Sequence, residues 1–208
     1  MYKYLTSRFR PYKDTIILDL DNTLFAAMKA LENELGWYTT EGQTHYLYHD
    51  CWTKPQADKA LELYHRSDVL RKMEFIPEVV DYLREVINHK GNVQILIVTK
   101  TKGINAWDRF YRASQLPSIG RYIVGILAWQ ETYPIEELQN LRGNYVLALD
   151  DSPYNWELLL KNSIPVMPIL YRYNLERYQS GIDTEFNVGY ILPEVAKLGF
   201  GRTVMYLT

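Results

Sequence analysis

The stretch "TIILDLDNTLF", from Thr15 to Phe25, decides the fold of this chain. It begins with a continuously apolar run of isoleucine and leucine, which is typical of a strand buried on both faces of a parallel sheet. Asp19 and Asp21 stand at the end of that run. Because two carboxylates at the end of a buried strand repel each other, the sequence predicts a compensating cation close to them.

Four more short apolar runs predict further buried strands, at 93–99, 122–127, 145–150 and 164–170. Segments with helical spacing lie between the runs, the clearest at 77–90 and weaker ones at 105–115 and 152–162. Strands that alternate with helices predict an α/β fold, here a Rossmann-like doubly wound parallel sheet. Sheets of this kind bind ligands at the carboxyl ends of their strands.

Residues 26–74 interrupt this alternation. Two stretches with helical character, 26–37 and 56–72, flank a polar segment that is rich in aromatic residues. The sequence therefore predicts a small, mainly helical cap inserted after the first strand. The domain boundaries that follow are 1–25 and 75–208 for the core and 26–74 for the cap.

Composition narrows the classes of function. Of the 208 residues 47% are hydrophobic, enough to form a core, and the formal net charge of −2 provides no general attraction to a polynucleotide or an anionic membrane. The single cysteine excludes an intrachain disulfide and favours a reducing compartment. Neither a signal peptide nor a membrane-spanning apolar segment is recognisable. We therefore expect a cytoplasmic protein with a small-molecule partner and no membrane partner.

The chemistry-bearing residues stand at the ends of three predicted strands. Asp19 and Asp21 follow the first strand, Thr99 ends the second, and Asp150 and Asp151 end a later one. Parallel strands bring their carboxyl ends to one edge, so four carboxylates and a hydroxyl are expected to meet there. Hard oxygen ligands suit Mg²⁺. The four aspartates are therefore the predicted ligands of a magnesium ion.

Each of these groups has a role in phosphoryl transfer. Asp19 is the predicted nucleophile, whose carboxylate attacks phosphorus and forms an aspartyl-phosphate. Asp21 is the predicted general acid for the leaving alcohol and then the general base for water, so it must be able to take up a proton. Thr99 is expected to donate a hydrogen bond to a phosphoryl oxygen, with backbone amides helping to hold that group.

At this point the pattern resembles the haloacid dehalogenase superfamily of phosphohydrolases. The matching pieces are "DLDNTL" around Asp19, the strand-ending Thr99 and the acidic "LDDSPYN" around Asp150. The resemblance covers residues 15 to about 170. It implies a Mg²⁺-dependent phosphomonoesterase, and the aspartate at position 21 is similar to the phosphatase branch of that superfamily.

One departure from the family pattern concerns a lysine. The resemblance leads us to expect a lysine ahead of the "LDDSPYN" motif, where its charge balances the nucleophile and the phosphate. Between Gly103 and Asp150 the chain has no lysine. Lys100, beside Thr99, and Arg142 are the predicted replacements, although arginine is the larger and less adaptable of the two side chains.

The resemblance extends to the substrate. The cap position and "FIPEVVDYLREV" are similar to the 5'(3')-deoxyribonucleotidase-type members, which implies a nucleoside monophosphate as substrate. Trp37 and Trp52 of the cap are candidates to stack on its base, although the same rings are equally suited to form the core of the cap. The remaining predicted substrate contacts are Asn22, Thr23, Lys102 and Arg142.

Two alternatives to a nucleotidase remain open on the sequence. One is a phosphatase of another small ester, such as a sugar phosphate. The other is a non-catalytic nucleotide-binding protein of the same fold, which the missing lysine motivates and the intact acids oppose. A phosphatase of polynucleotide ends is disfavoured, because the balanced charge provides no track for a phosphate backbone.

Overall fold

A seven-stranded sheet forms the centre of the molecule, in a computed structural model that describes residues 1–36, 53–65, 67–170 and 205–206. The strands are β1 Tyr2–Leu5, β2 Asp14–Leu18, β3 Val93–Lys100, β4 Ile123–Trp129, β5 Asn144–Asp150, β6 Val166–Leu170 and β7 Met205–Tyr206. Their order across the sheet is β1-β4-β3-β2-β5-β6-β7. Only the pairing of β1 with β4 is antiparallel among these neighbours.

The run that opens the sequence analysis is the middle strand of this sheet. β2 lies between β3 and β5, and its residues Ile16, Ile17 and Leu18 are completely buried. A strand covered on both faces has no solvent side, which is why its sequence is continuously apolar. The predicted Rossmann-like parallel sheet is confirmed.

Seven α-helices lie within the described ranges: α1 Ala27–Leu35, α2 Lys54–Tyr64, α3 Ser67–Lys72, α4 Pro77–Lys90, α5 Gly103–Ser114, α6 Ile135–Leu141 and α7 Pro153–Lys161. The clearest sequence prediction, 77–90, coincides with α4. Pro77 fits its first turn, and Gly91 ends it with a positive φ of 70° that glycine adopts without strain. No helix in these ranges is long and apolar enough to span a bilayer.

The structure differs from the sequence prediction at several elements, among them the two-residue β7, which was not predicted. The stretch 56–72 forms two helices, α2 and α3, because the chain leaves the helix at His65, whose amide donates to the carbonyls of Glu62 and Leu63. β1 was not predicted, since four residues at a sheet edge carry too short a pattern. The short α6 was also not predicted.

The two ends of the insertion lie side by side. The Ala26 amide donates to the Glu74 carbonyl at 2.9 Å, and the Ile76 amide donates to the Leu24 carbonyl at 2.9 Å. The described insertion helices share one continuous hydrophobic core with the sheet, through buried side chains that include Leu31, Ala60, Leu63, Val69 and Met73. The insertion therefore leaves and re-enters the core at one place, directly after the Asp19 motif.

Gly125 allows β1 to pair with β4, and its replacement tests that contact. A Cβ at this position would lie 2.6 Å from the Tyr4 carbonyl oxygen and 3.2 Å from the Leu5 Cα. We expect Gly125→Ala to lower the free energy of unfolding by about 1–3 kcal/mol, because the β1 backbone must move. Denaturant unfolding measures the loss, and hydrogen exchange should show faster exchange of the β1 amides.

Gly143→Ala is the matched control. The added carbon there meets only the Tyr145 side chain, at 2.7 Å from Cε1, and a side chain moves more easily than backbone. Its cost should be clearly smaller. Equal losses for the two variants would show that the approach of β1 is not what requires glycine at position 125.

Candidate active site

Three buried carboxylates meet at the carboxyl edge of the sheet. Asp19 follows β2, Asp150 ends β5, and Asp151 comes next in the chain. Leu18 and Leu149 are partners in the β2–β5 pairing, which places the following aspartates side by side. One carboxylate oxygen from each of the three lies within 4.8 Å of the others. The structure thus brings together three of the four predicted metal ligands.

Burial and mutual repulsion make this group electrostatically unfavourable by itself. The pKa of Asp19 is raised well above its ordinary value, first by burial and then by the charges of Asp150, Asp151 and Asp21. Burial and the Asp151 charge also raise the pKa of Asp150. Three buried oxygen ligands that repel one another are a donor set suited to a hard divalent cation. The residues present therefore fit Mg²⁺.

The Asp150 carboxylate is held by the start of α7. Its Oδ1 accepts a hydrogen bond from the Ser152 amide at 2.8 Å, and its Oδ2 accepts one from Asn155 Nδ2 at 2.9 Å. The Trp156 indole donates to the Asp150 carbonyl at 2.7 Å. These contacts fix the side chain toward Asp19. Asn155 and Trp156 were not identified from the sequence as site residues, although "DDSPYNW" places both within six residues of the acids.

The Asp21 side chain belongs to a different cluster, which corrects its predicted role as a metal ligand. Its carboxylate accepts a hydrogen bond from the Tyr64 hydroxyl and lies 3.3 Å from Arg109 Nε. It is absent from the close carboxylate group among the described residues. The Asp21 carboxylate contacts Tyr64 and Arg109 instead of the group formed by Asp19, Asp150 and Asp151. Tyr64 is the last residue of α2, so a helix of the insertion contacts the predicted general acid directly.

Arg109 is a site residue that the sequence analysis missed. It lies on α5, its side chain is 1% exposed, and its guanidinium carbon is 4.8 Å from the centroid of the Tyr64 ring. Burial alone would lower its pKa, but Asp21 and Tyr64 outweigh burial and raise it. Its Nη1 and Nη2 have no hydrogen-bond partner among the described residues. One sequence feature could have identified Arg109: it is a charged residue at helical spacing between Ala106 and Ala113, both of which are buried in α5.

The insertion and α5 make a second polar contact near Asp21. His65 Nδ1 lies 3.3 Å from Nδ2 of the buried Asn105. Burial lowers the pKa of His65, and the charges of Lys102 and Arg109 lower it further. Lys102 is exposed and stands directly before α5, so it remains a candidate for substrate binding.

Thr99 and Lys100, at the end of β3, have contrasting surroundings. The Thr99 side chain is buried and its hydroxyl has no hydrogen-bond partner within the described part of the chain. A buried hydroxyl without a partner is unfavourable unless a ligand completes it. Lys100 is exposed, and its ammonium lies 5.3 Å from the centroid of the Trp129 ring.

Two of the predicted substrate contacts, Asn22 and Thr23, have hydrogen-bond partners within the protein. Asn22 Oδ1 accepts a hydrogen bond from the Met28 amide at 2.8 Å, and the buried Thr23 hydroxyl donates to Asp151 at 3.4 Å, so both have structural partners instead. Trp37 and Trp52 lie outside the described residues.

The prediction for Arg142 is wrong. It ends α6 with a left-handed backbone, and its Nη1 donates to the Tyr12 hydroxyl at 3.1 Å. It lies before the seven-residue β5, whereas Asp150 is the last residue of that strand. At roughly 3.3 Å per residue, about 20 Å of strand separate Arg142 from the acids. An arginine at the amino edge of the sheet cannot balance charge at the carboxyl edge.

Solved structures share this architecture. A haloacid dehalogenase-like family hydrolase from Streptococcus pneumoniae superposes with a TM-score of 0.54 at 16% identity, over 94% of each chain. A structure described as a hydrolase from Streptococcus pneumoniae TIGR4 has a TM-score of 0.50 at 18% identity, and the match covers 81% of this chain and 98% of that one. At these identities the likeness establishes a common fold. No protein-family model and no curated protein sequence matches this chain.

Magnesium should stabilise the protein through the three carboxylates. At one hundred times its Kd, a ligand of the native state adds about 2.7 kcal/mol to the free energy of unfolding. The raised pKa values of Asp19 and Asp150 mean that the metal-free fold loses stability as pH rises through those values. The increase in melting temperature with Mg²⁺ should therefore be larger at neutral pH than near pH 4.

The Asp150→Asn variant tests this prediction, because it should change the stability without metal and the response to Mg²⁺ in opposite directions. Removing one charge should stabilise the metal-free protein at neutral pH and reduce its response to Mg²⁺. Asp58→Asn, at an exposed position on α2, should change neither quantity. A full magnesium response in Asp150→Asn would show that the ion does not bind at this group.

The buried Asp21–Arg109 contact should show strong energetic coupling. In a double-mutant cycle with Asp21→Asn and Arg109→Gln, we expect a coupling energy of about 1–3 kcal/mol, because each single change leaves the other charge buried without its partner. Chemical denaturation of the four proteins measures it. The exposed Asp81–Arg84 pair on α4, at 2.6 Å, should give about 0.2–1 kcal/mol in a matched cycle. Equal coupling for the two pairs would contradict the prediction.

Proposed function

We propose that this chain is a Mg²⁺-dependent phosphomonoesterase that acts through an aspartyl-phosphate on Asp19, with a nucleoside monophosphate as its substrate. The observation that carries the proposal is the division of the acids into two clusters. Asp19 lies with Asp150 and Asp151, whereas Asp21, two residues later, lies apart from them beside Arg109 and Tyr64. This arrangement provides a nucleophile and a separate acid–base group at one sheet edge.

Mg²⁺ would be held by Asp19, Asp150 and Asp151. When bound, it supplies positive charge that offsets the carboxylates and the phosphate. The need for that charge is evident from the raised pKa values of Asp19 and Asp150.

The first half of the reaction transfers the phosphoryl group to the protein. A carboxylate oxygen of Asp19 attacks phosphorus, and the bond between phosphorus and the ester oxygen breaks. Asp21 gives its proton to the departing alkoxide, which leaves as the alcohol. The Thr99 hydroxyl, buried and unpaired within the described residues, donates a hydrogen bond to a phosphoryl oxygen.

The second half releases phosphate. Asp21, now a carboxylate, takes a proton from water, and the resulting hydroxide attacks phosphorus. The bond to Asp19 breaks, which returns the free carboxylate and inorganic phosphate. Arg109 and Tyr64 hold the Asp21 side chain in place for both proton transfers.

The insertion supports a nucleotide in preference to a smaller ester. We propose that residues 26–74 act as a cap, since Tyr64 and His65 of the insertion contact Asp21 and Asn105. A cap beside the acid–base group stands where the leaving alcohol must lie. Its aromatic residues, Trp37 and Trp52 among them, are suited to stack on a base. Exposed Lys100 and Lys102 complete the proposed set of contacts, Lys100 as a catalytic charge and Lys102 as a substrate contact.

Phosphate release from a panel of nucleoside and sugar monophosphates tests the function. We expect Mg²⁺-dependent turnover that chelator abolishes, with nucleotides giving the highest kcat/KM. Asp19→Asn should eliminate turnover, and Asp21→Asn should lower kcat by about 10²- to 10⁴-fold, because it removes the acid–base group. Highest efficiency with sugar phosphates would replace the nucleotide proposal. Binding of nucleotide without turnover would identify a non-catalytic protein.

The aspartyl-phosphate can be trapped in the Asp21→Asn variant. p-Nitrophenyl phosphate has a leaving group that needs no protonation, so the first half-reaction should proceed while the second is slow. We expect a burst of p-nitrophenol and a phosphoprotein that hydroxylamine cleaves. Asp19→Asn should show neither. A burst that leaves no phosphoprotein would contradict covalent catalysis by Asp19.

A further inference from the structure

Buried donors without partners gather where β3 and β4 end. The hydroxyls of Thr99, Thr101 and Tyr133 and the indole N–H of Trp129 are buried and have no hydrogen-bond partner within the described residues. Native proteins satisfy most such groups, and each one left unpaired is unfavourable. Several of them at one edge of a sheet therefore indicate a missing acceptor.

The chain pairing brings these donors together. Lys100 pairs with Trp129 across β3 and β4, and the Thr101 amide donates to the Trp129 carbonyl at 3.0 Å. The Trp129 and Tyr133 rings pack edge to face with their centroids 5.5 Å apart. The donors thus follow one another along the carboxyl ends of two neighbouring strands.

Tyr133 follows β4 at the carboxyl edge of the sheet, near enough to the acids for their charges to act on it. Its side chain is buried, and the charges of Asp150 and Asp19, after burial, raise its pKa well above the ordinary value. The hydroxyl therefore lies within the field of both carboxylates, yet it hydrogen-bonds to neither. A phenol is protonated at neutral pH, so this hydroxyl is available as a donor.

The position of Tyr133 in the chain indicates a role for its hydroxyl as a hydrogen-bond donor to a ligand. It lies between β4 and α6, ahead of Asp150, in the stretch where a lysine is expected and none is present. Arg142 lies at the opposite edge, and Lys100 lies exposed over Trp129. A neutral donor therefore stands beside the acids in the stretch from which a charged one is missing.

We propose that Tyr133 is a catalytic residue whose hydroxyl donates a hydrogen bond to the phosphoryl group on Asp19. With the Thr99 hydroxyl at the end of β3, it forms a pocket of neutral donors for a tetrahedral oxyanion. The inference rests on the proposed function in one respect, that the phosphoryl group is transferred to Asp19. The ligand class is a phosphate-like oxyanion, for which inorganic phosphate is the probe.

The Tyr133→Phe variant has a distinctive expected result. Phosphate affinity in the presence of Mg²⁺, measured by calorimetry, should fall by about 10- to 100-fold, because a hydrogen bond to a charged oxygen is lost. For turnover, kcat should fall by about 100-fold with a smaller change in KM. The melting temperature without ligand should rise, because the variant removes a buried donor that has no partner.

Tyr145→Phe is the matched control. The Tyr145 hydroxyl donates to the Leu138 carbonyl at 2.7 Å, at the start of β5, and it does not contact the acids. Its removal should lower the melting temperature and leave phosphate affinity unchanged. The two tyrosine variants should thus move stability in opposite directions.

Two results would overturn the inference. Tyr133→Phe with wild-type phosphate affinity and kcat would show that the hydroxyl does not touch the phosphoryl group. A lower melting temperature with unchanged affinity would identify a structural hydroxyl completed by an ordered water. Tyr133→Lys provides a second measurement, since an ammonium should bind phosphate at least as tightly as the native hydroxyl.

The failure of the inference and the failure of the proposed function are distinguishable. If the wild type releases no phosphate from any ester, phosphatase activity is excluded. Weaker Mg²⁺-dependent phosphate binding in Tyr133→Phe would then still support the donor pocket. If the wild type is active and Tyr133→Phe matches it, the donor pocket alone is excluded.

Discussion

Repulsion among three buried carboxylates is the constraint on which this site depends. Asp19, Asp150 and Asp151 are brought within 4.8 Å by the pairing of β2 and β5, which is itself fixed by apolar burial. The hydrophobic effect thus places like charges together, at a cost that a bound cation offsets at neutral pH and proton uptake offsets at low pH. Natural proteins retain such unfavourable groups at functional sites, where stability is exchanged for activity.

Asp21 connects this charge cluster to the insertion. Arg109, from α5 of the core, and Tyr64, from α2 of the insertion, both contact its carboxylate. The insertion also begins and ends beside this point, where Ala26 and Glu74 are hydrogen-bonded. Any movement of α2 would therefore move Tyr64, a hydrogen-bond partner of Asp21.

The β3–β4 edge completes the site with donors instead of charge. Thr99, Trp129 and Tyr133 are buried donors that have no hydrogen-bond partner within the described residues. Under the proposed function, a bound Mg²⁺ and the exposed Lys100 and Lys102 would supply the positive charge for phosphate, and these donors would supply hydrogen bonds.

Sequence patterns alone were enough to predict the parallel sheet and the aspartates at its edge. Continuous apolar runs predicted the central strands because burial on both faces leaves that pattern, and residues at strand ends must share an edge. Which side chains meet is evident only from the folded chain. Asp21 turns to Arg109, Arg142 lies at the far edge, and Tyr133 lies by the acids, through contacts between residues distant in the chain. Local patterns carry no signal for such contacts, because side-chain direction and partner are set by packing.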